Sequence, residues 1–219
     1  LVANLSEAMP FLAMVAFRIP AALTVLQILA VDLGTDVLPA LGLGAELPEA
    51  GLMHQPPRPR QAPLLDRSVL QRSYLFLGLL EACFAMGAYL LVWHRAGVGF
   101  HALQQLTPQL LHHTAPASLQ ALQLQASSAA FGTIVLSQVG VLLACRSEHR
   151  SGFGMLLVPN PLLWFGVLSE GAVLAALMRF RPLAEAFSLV PIPAPWFWVM
   201  GSAPLLILAA DGGRKQGAS

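Results

Sequence analysis

The chain has 219 residues, 56 % hydrophobic and 11 % charged, with a formal net charge of +1 and a mean hydropathy of +0.67. Soluble domains carry about 25 % charged residues, so this composition excludes a water-soluble globular fold. Its apolar residues come in blocks of roughly twenty, enough to cross about 30 Å of hydrocarbon, and without the alternation of a transmembrane barrel. The expected fold class is all-α: a polytopic transmembrane helical bundle of about six segments, with the lipid bilayer as its first partner.

The first segment, residues 1–17, is too short to span unless it continues upstream. It opens inside a helix, on Leu1 rather than Met and with no signal peptide, which reads as a truncated first helix and a fragment of a longer chain. The second segment covers about 20–44, the third 74–93, the fourth 127–145, the fifth 161–180 and the last 195–210. The last opens with Trp196, Phe197 and Trp198, suited to an interfacial aromatic belt. Arg58, Arg60, Arg67 and Arg72 share one loop, Arg146 and Arg150 another, and Arg214 and Lys215 lie near the C-terminus. An even number of crossings separates these groups, so all face one side. Arg18, Arg95, Arg179 and Arg181 are left on the other side. The positive-inside rule makes the richer side cytoplasmic, including the C-terminus and the start of the chain, in a plasma or bacterial inner membrane. It also predicts a tight external hairpin at 17–19.

The loop 46–72 is proline-rich and basic, either an extended connector near anionic headgroups or a docking strip for a cytoplasmic domain. The external stretch 97–125 is polar. Its adjacent His112 and His113 do not share a helix face, which argues against a metal site there. Cys83 and Cys145 lie in separate spans without ligand spacing and are expected to be buried thiols. No nucleophile–base pair, phosphate loop or zinc motif is present, nor a basic and aromatic surface for nucleic acid.

Chemistry concentrates in residues 27–51, QILAVDLGTDVLPALGLGAELPEAG. Asp32 and Asp36 are four apart and share a helix face, with Thr35 between them. Gly34 and Pro39 predict an irregular helix here, because proline removes a backbone donor and frees a carbonyl one turn earlier. The first segment adds Asn4 and Glu7, three residues apart. A short hairpin would make the two segments antiparallel neighbours and bring three carboxylates, an amide and a hydroxyl together. That oxygen-rich set suits a hard cation such as Na⁺, K⁺, Ca²⁺ or a proton. Ionisable groups in the bilayer core cost about 2.5–3.5 kcal/mol each on insertion scales, so they mark ion paths or paired sites. Gln138, beside Ser137, is open to an interhelical hydrogen bond or to ion ligation, and Glu170 to an ion or proton path. Glu81, nearer the cytoplasmic end, is expected to have a structural partner.

Asn4-Leu5-Ser6-Glu7 with Pro10-Phe11, then ILAVDLGTDVLPAL at 28–41, then the PPRPR loop, resemble the C-terminal half of a P-type cation-transporting ATPase. NPLLWFGVLSEGAVLAAL at 160–177 is similar to that family's ninth helix, and the run from Asp211 to Lys215 to the end of its tenth. The resemblance implies that Asn4, Glu7, Asp32, Thr35 and Asp36 are ion ligands on the fifth and sixth helices, supported by Gln138 and Glu170. In motif it is closest to the sodium/potassium/proton branch, although Ala3 and Val141 depart from that branch's lysine and aspartate. The implied organisation is a C-terminal transmembrane domain over 1–217, with an ion-site hairpin at 1–44, a cytoplasmic loop at 45–73 and four supporting helices at 74–210.

The family's phosphorylation motif DKTGT, its TGE motif and its nucleotide-binding domain are not in this sequence. ATP and Mg²⁺ would therefore act only through domains outside the chain, and the implied partners are the transported cation and the N-terminal part of the same pump. The chain itself offers no cofactor site and no catalytic residues. The alternative expectation is a stand-alone truncated membrane protein, acting as a non-enzymatic cation-binding or regulatory subunit.

Overall fold

The computed structural model describes residues 1–48, 63, 65–148 and 150–217; the basic PPRPR run of the proline-rich loop lies outside them. The described residues are helical, without strands. Helix α1 is Val2–Phe17. The second span, Val25–Gly44, consists of α2 (Val25–Ala30), a π-helical turn (Val31–Thr35) and α3 (Val37–Gly44). The third, Arg67–Arg95, runs through α4 (Arg67–Leu70), a π-helical segment (Gln71–Gly78) and α5 (Leu79–Arg95). Then come α6 (Phe100–Leu111), α7 (Ala117–Cys145), the short α8 (Gly152–Met155), α9 (Pro161–Arg179), α10 (Arg181–Ala186) and α11 (Ala194–Gly217).

Five of these stretches are long and apolar enough to cross a membrane, and α1 is a shorter apolar helix. Their positions match the expected segments, with shifted ends. The second span begins at Val25 rather than near residue 20, the third at Arg67 rather than near 74, and the last continues to Gly217 rather than ending near 210; α7 begins at Ala117, so part of the polar stretch 97–125 is helical. Large side chains such as Leu12, Leu33, Leu168 and Trp198 are exposed, as expected where lipid tails replace water outside the bundle. Cys83 is exposed too, against the expectation of a buried thiol.

Helix α7 is the axle. Of its most apolar stretch 83 % is buried, against 44 % or less in the other four spans. Lipid tails are as apolar as leucine, so nothing squeezes membrane helices together, and close backbone approach has to supply the attraction. Small residues make that possible. A Cβ on Gly140 would lie 2.7 Å from the Cα of Pro204 on α11, and one on Gly132 2.7 Å from the Met200 sulfur. The α3–α9 pair interlocks reciprocally: a Cβ on Gly42 would lie 2.5 Å from the Cα of Leu163, and one on Gly166 2.8 Å from the Cα of Pro39.

The connection from α1 to α2 is longer than the tight turn expected at 17–19. It spans residues 18–24, because Thr24 forms a capping box with Gln27 that starts α2 only at Val25. The connector is bound elsewhere: Gln104 donates to the Phe17 carbonyl at 2.7 Å, and Gln123 to that of Ala21 at 2.8 Å. The Tyr89 hydroxyl donates to Gln123 Oε1 at 2.6 Å and lies 3.3 Å from the Pro20 carbonyl. Helix α1 accordingly packs on α5, the π segment before it and α7, while α3 packs on α9.

The opposite end is held by ions. Asp211 is fully buried and meets Lys215 at 2.6 Å, Arg214 at 3.0 Å and Arg72 at 3.3 Å. Lys215 and Arg72 both donate to the Ala144 carbonyl, at 2.8 and 2.9 Å, where the C-terminal end of α7 favours cations. Beside them, Arg146 forms two hydrogen bonds to the Glu46 carboxylate, at 2.8 and 2.9 Å, and donates to the carbonyls of Met155 and Val158. Asn160 caps α9 through Leu163 N–H and donates to the Gly42 carbonyl and to Glu46, each at 3.0 Å. This clasp locks α3 to α7 and α9.

Replacing Gly42 with Ala forces a methyl group onto α9 backbone and should cost about 1–3 kcal/mol, read as a lowered thermal midpoint. Gly87→Ala, with nothing within 4 Å of the added carbon, should be neutral or stabilising by up to about 1 kcal/mol. The Arg146 hydrogen bonds hold the Glu46 carboxyl below its ordinary value of 4.5, against partial burial and with help from Asn160. A lowered folded value stabilises above pH 4.5, and that stabilisation is lost as pH falls through the folded value. Glu46→Gln should therefore lower stability by about 2 kcal/mol at neutral pH, and the difference from the unaltered protein should shrink in acid unfolding curves.

Candidate cation site

The irregularity expected around Gly34 is a π turn. The Asp36 N–H reaches back five residues to the Val31 carbonyl at 3.1 Å, and the Thr35 hydroxyl donates to the same carbonyl at 2.8 Å. One extra residue in the turn rotates the next side chains away from the regular face. Asp32 is consequently exposed, Thr35 buried and Asp36 half-buried. On α1, Asn4 is exposed while Glu7 is 5 % exposed, with its Oε1 unpaired. Glu7 lies within electrostatic range of both Asp32 and Asp36.

Helices α1 and α3 face each other across space. A cavity of about 220 Å³ is lined on one side by Leu1 and by Val2 and Ala3 of α1, and on the other by Asp36, Pro39, Ala40 and Leu43. Glu81 of α5, Gln138 of α7 and Glu170 of α9 complete its polar lining. Glu81 is fully buried, Glu170 2 % exposed and Gln138 8 % exposed. Both Glu81 oxygens, both polar atoms of the Gln138 amide and one Glu170 oxygen lack a hydrogen-bond partner, as does the neighbouring Ser137 hydroxyl. More than nine in ten buried polar groups in folded proteins are paired, so this concentration around one small space is the departure that marks the site.

Among the described residues, no three His, Cys, Asp or Glu side chains lie close enough together to hold a metal ion by themselves. His112 and His113 are exposed at the end of α6. A cation in the cavity would need oxygens from Gln138 and from backbone alongside the acids. The π turn supplies one source, since Pro39 has no N–H to offer the Thr35 carbonyl one turn earlier. The structural partner expected for Glu81 is not a base: neither of its oxygens meets a lysine or arginine, and the polar group within reach is the Ser6 hydroxyl. The signal that could have found Glu81 is local: Leu77, Gly78, Ala82, Phe84 and Ala85 bracket it, with no base within a turn.

Residues 20–216 match the family model described as "Cation transporting ATPase, C-terminus". The chain belongs to this family. Over 200 residues it is 30 % identical to the "Sodium/potassium-transporting ATPase subunit alpha" of Drosophila melanogaster, an overlap of 84 % of the chain and 19 % of that protein. It is 27 % identical over 180 residues to the "Potassium-transporting ATPase alpha chain 2" of Oryctolagus cuniculus, covering 76 % of the chain and 16 % of the relative. Against "Sodium/potassium-transporting ATPase subunit alpha-2" of Gallus gallus the identity is 28 % over 232 residues, 98 % of the chain and 22 % of the relative.

The chain thus spans about a fifth of the length of the curated relatives it matches. It is an integral membrane segment of the cation-transporting ATPase type. The family-model match starts at Pro20, so it includes Asp32, Asp36, Glu81, Gln138 and Glu170, while α1 is reached by the longer Gallus gallus overlap.

Replacing a buried unpaired amide with an apolar group of similar size removes a desolvation penalty of about 1–3 kcal/mol. Gln138→Leu should therefore raise the thermal midpoint in cation-free buffer; a lowered midpoint would show that the amide is satisfied.

Proposed function

We propose that this chain is the ion-binding membrane domain of an ATP-driven cation pump, with the cation held between α1 and the π-interrupted second span. The observation that carries the reading is the cavity separating these helices, into which buried unpaired oxygens project from three further helices. Asp36 lines the cavity, and Glu7, buried on α1, lies within electrostatic range of it. Asn4, Asp32 and Thr35 complete the ligand set from the same two segments, and Gln138 and Glu170 close it from α7 and α9. Residues 1–44 form the ion-site hairpin, 45–73 the loop towards the cytoplasmic domains, and 74–210 the supporting helices.

The cargo is a monovalent or divalent hard cation, because every candidate side-chain ligand is an oxygen donor. ATP and Mg²⁺ act through domains outside this chain, which belong to the N-terminal part of the same pump. In a plasma or bacterial inner membrane the ionic end of the bundle, with the C-terminus, faces the cytoplasm. That orientation is supported by the basic residues gathered there.

A pump works by giving its cargo different affinities in two conformations. Here α3 is clamped to α7 and α9 by the Glu46–Arg146–Asn160 clasp, whereas α1 is packed on α5. Relative movement of these two groups changes the width of the cavity and hence the number of oxygens that reach one ion. In the complete pump, Asp36→Asn should abolish cation-dependent turnover of the phosphorylated enzyme; cation activation like that of the unaltered pump would remove Asp36 from the site.

A further inference from the structure

Glu81 has the most unusual environment of any ionisable residue described. It sits on α5, fully buried, in the lining of the cavity between α1 and α3, with no hydrogen-bond partner found for either oxygen. Its charged neighbours are acids: Asp36 across the cavity and Glu7 on α1. The Ser6 hydroxyl lies within reach but donates to the Ala3 carbonyl at 2.8 Å. A hydroxyl has a single proton, so whichever acceptor takes it, at least one Glu81 oxygen faces the cavity without a protein donor. No lysine or arginine side chain among the described residues pairs with it.

The basic residues of the third span do not help Glu81. Arg72 is committed to Asp211 and the Ala144 carbonyl, and Arg95 closes the far end of α5. What remains within reach is the cavity, whose other polar walls, Glu170 and Gln138, have the same deficit. A cation there would satisfy three of these deficits at once: carboxylate oxygens from Glu81 and Glu170, and the Gln138 amide oxygen.

We propose that Glu81 is a cation ligand, binding a metal cation of the sodium, potassium or calcium class together with Glu170 and Gln138, so that α5 is part of the transport site and not only its support. This rests on the pump reading above, which draws its primary ligands from α1 and the second span.

The test is equilibrium binding of radioactive sodium, rubidium and calcium to the full-length protein in lipid nanodiscs. The unaltered protein is compared with Glu81→Gln, Glu81→Asp and Asp36→Asn. Glu81→Gln preserves shape and should weaken binding of the accepted ion at least tenfold, with no loss of thermal stability in cation-free buffer. Glu81→Asp keeps the charge but withdraws it by one methylene, and should alter the preference among the three ions. A merely structural role would weaken all three ions in parallel.

Binding unchanged in Glu81→Gln but lost in Asp36→Asn overturns the assignment and leaves the pump site on the second span. Loss in Glu81→Gln with binding retained in Asp36→Asn upholds it and moves the site inward. If Glu81→Gln does not fold, an ion preference in Glu81→Asp identical to that of the unaltered protein overturns it. Absence of binding in the unaltered protein overturns both readings.

Discussion

Everything in this bundle depends on how closely backbones can approach α7. In water, burial of apolar area would hold helices together whatever their surfaces. In hydrocarbon, the attraction left is contact itself, and contact falls away steeply with distance. Gly132 and Gly140 let α11 lie against α7, and Gly42 and Gly166 let α3 and α9 interlock. Two rigid pairs result, and α1 belongs to neither. The gap between α1 and α3 is what remains when both are drawn onto different neighbours.

The treatment of charge differs between the end of the bundle and its interior. At the ionic end the buried charges have opposite partners, and the cations Arg72, Arg146 and Lys215 meet carbonyls as well. Asp211 has three cationic partners, and Arg146 has a carboxylate and two peptide oxygens. That pairing contrasts with Glu7, Glu81 and Glu170, each of which keeps at least one buried carboxylate oxygen without a hydrogen-bond partner among the described residues. Unpaired groups of this kind are tolerated where a mobile charge completes them.

Much of this was legible in the sequence, and most of the failures share a physical cause. Span positions derive from block length alone, and the irregular helix at Gly34 and Pro39 from backbone chemistry. The faces of individual side chains were less accessible. Counting at 3.6 residues per turn places Asp32 and Asp36 on one side, but the π turn between Val31 and Thr35 leaves Asp32 exposed and Asp36 half-buried. The same applies to Glu81, which comes after the π segment Gln71–Gly78, so its direction cannot be extrapolated from the start of that helix. The separation of α1 from α3 was hidden for another reason. A short connection implies adjacent helices only when the connector is free, and here Phe17 is tied to α6, Ala21 to α7 and Pro20 to the hydroxyl of Tyr89.

Magnitudes decide how these acids can exist at all. At about 2.5–3.5 kcal/mol for each ionised side chain at mid-membrane, three bare carboxylates would cost roughly 8–10 kcal/mol, comparable to the 5–15 kcal/mol that holds a typical domain folded. The Ser6 hydroxyl can serve at most one Glu81 oxygen, and proximity to Asp36 and Glu7 increases the cost. The described residues do not supply compensation for that cost; under the proposed function a proton or a metal cation does. Either species couples its own binding to the spacing of the helices that carry the acids. Closing α1 towards α3 without it would press like charges together, and closing with it would gain an attraction on both sides. Under the proposed function, an interior left unpaired in this way would make helix position depend on occupancy, which is the physical requirement for moving an ion by conformational change.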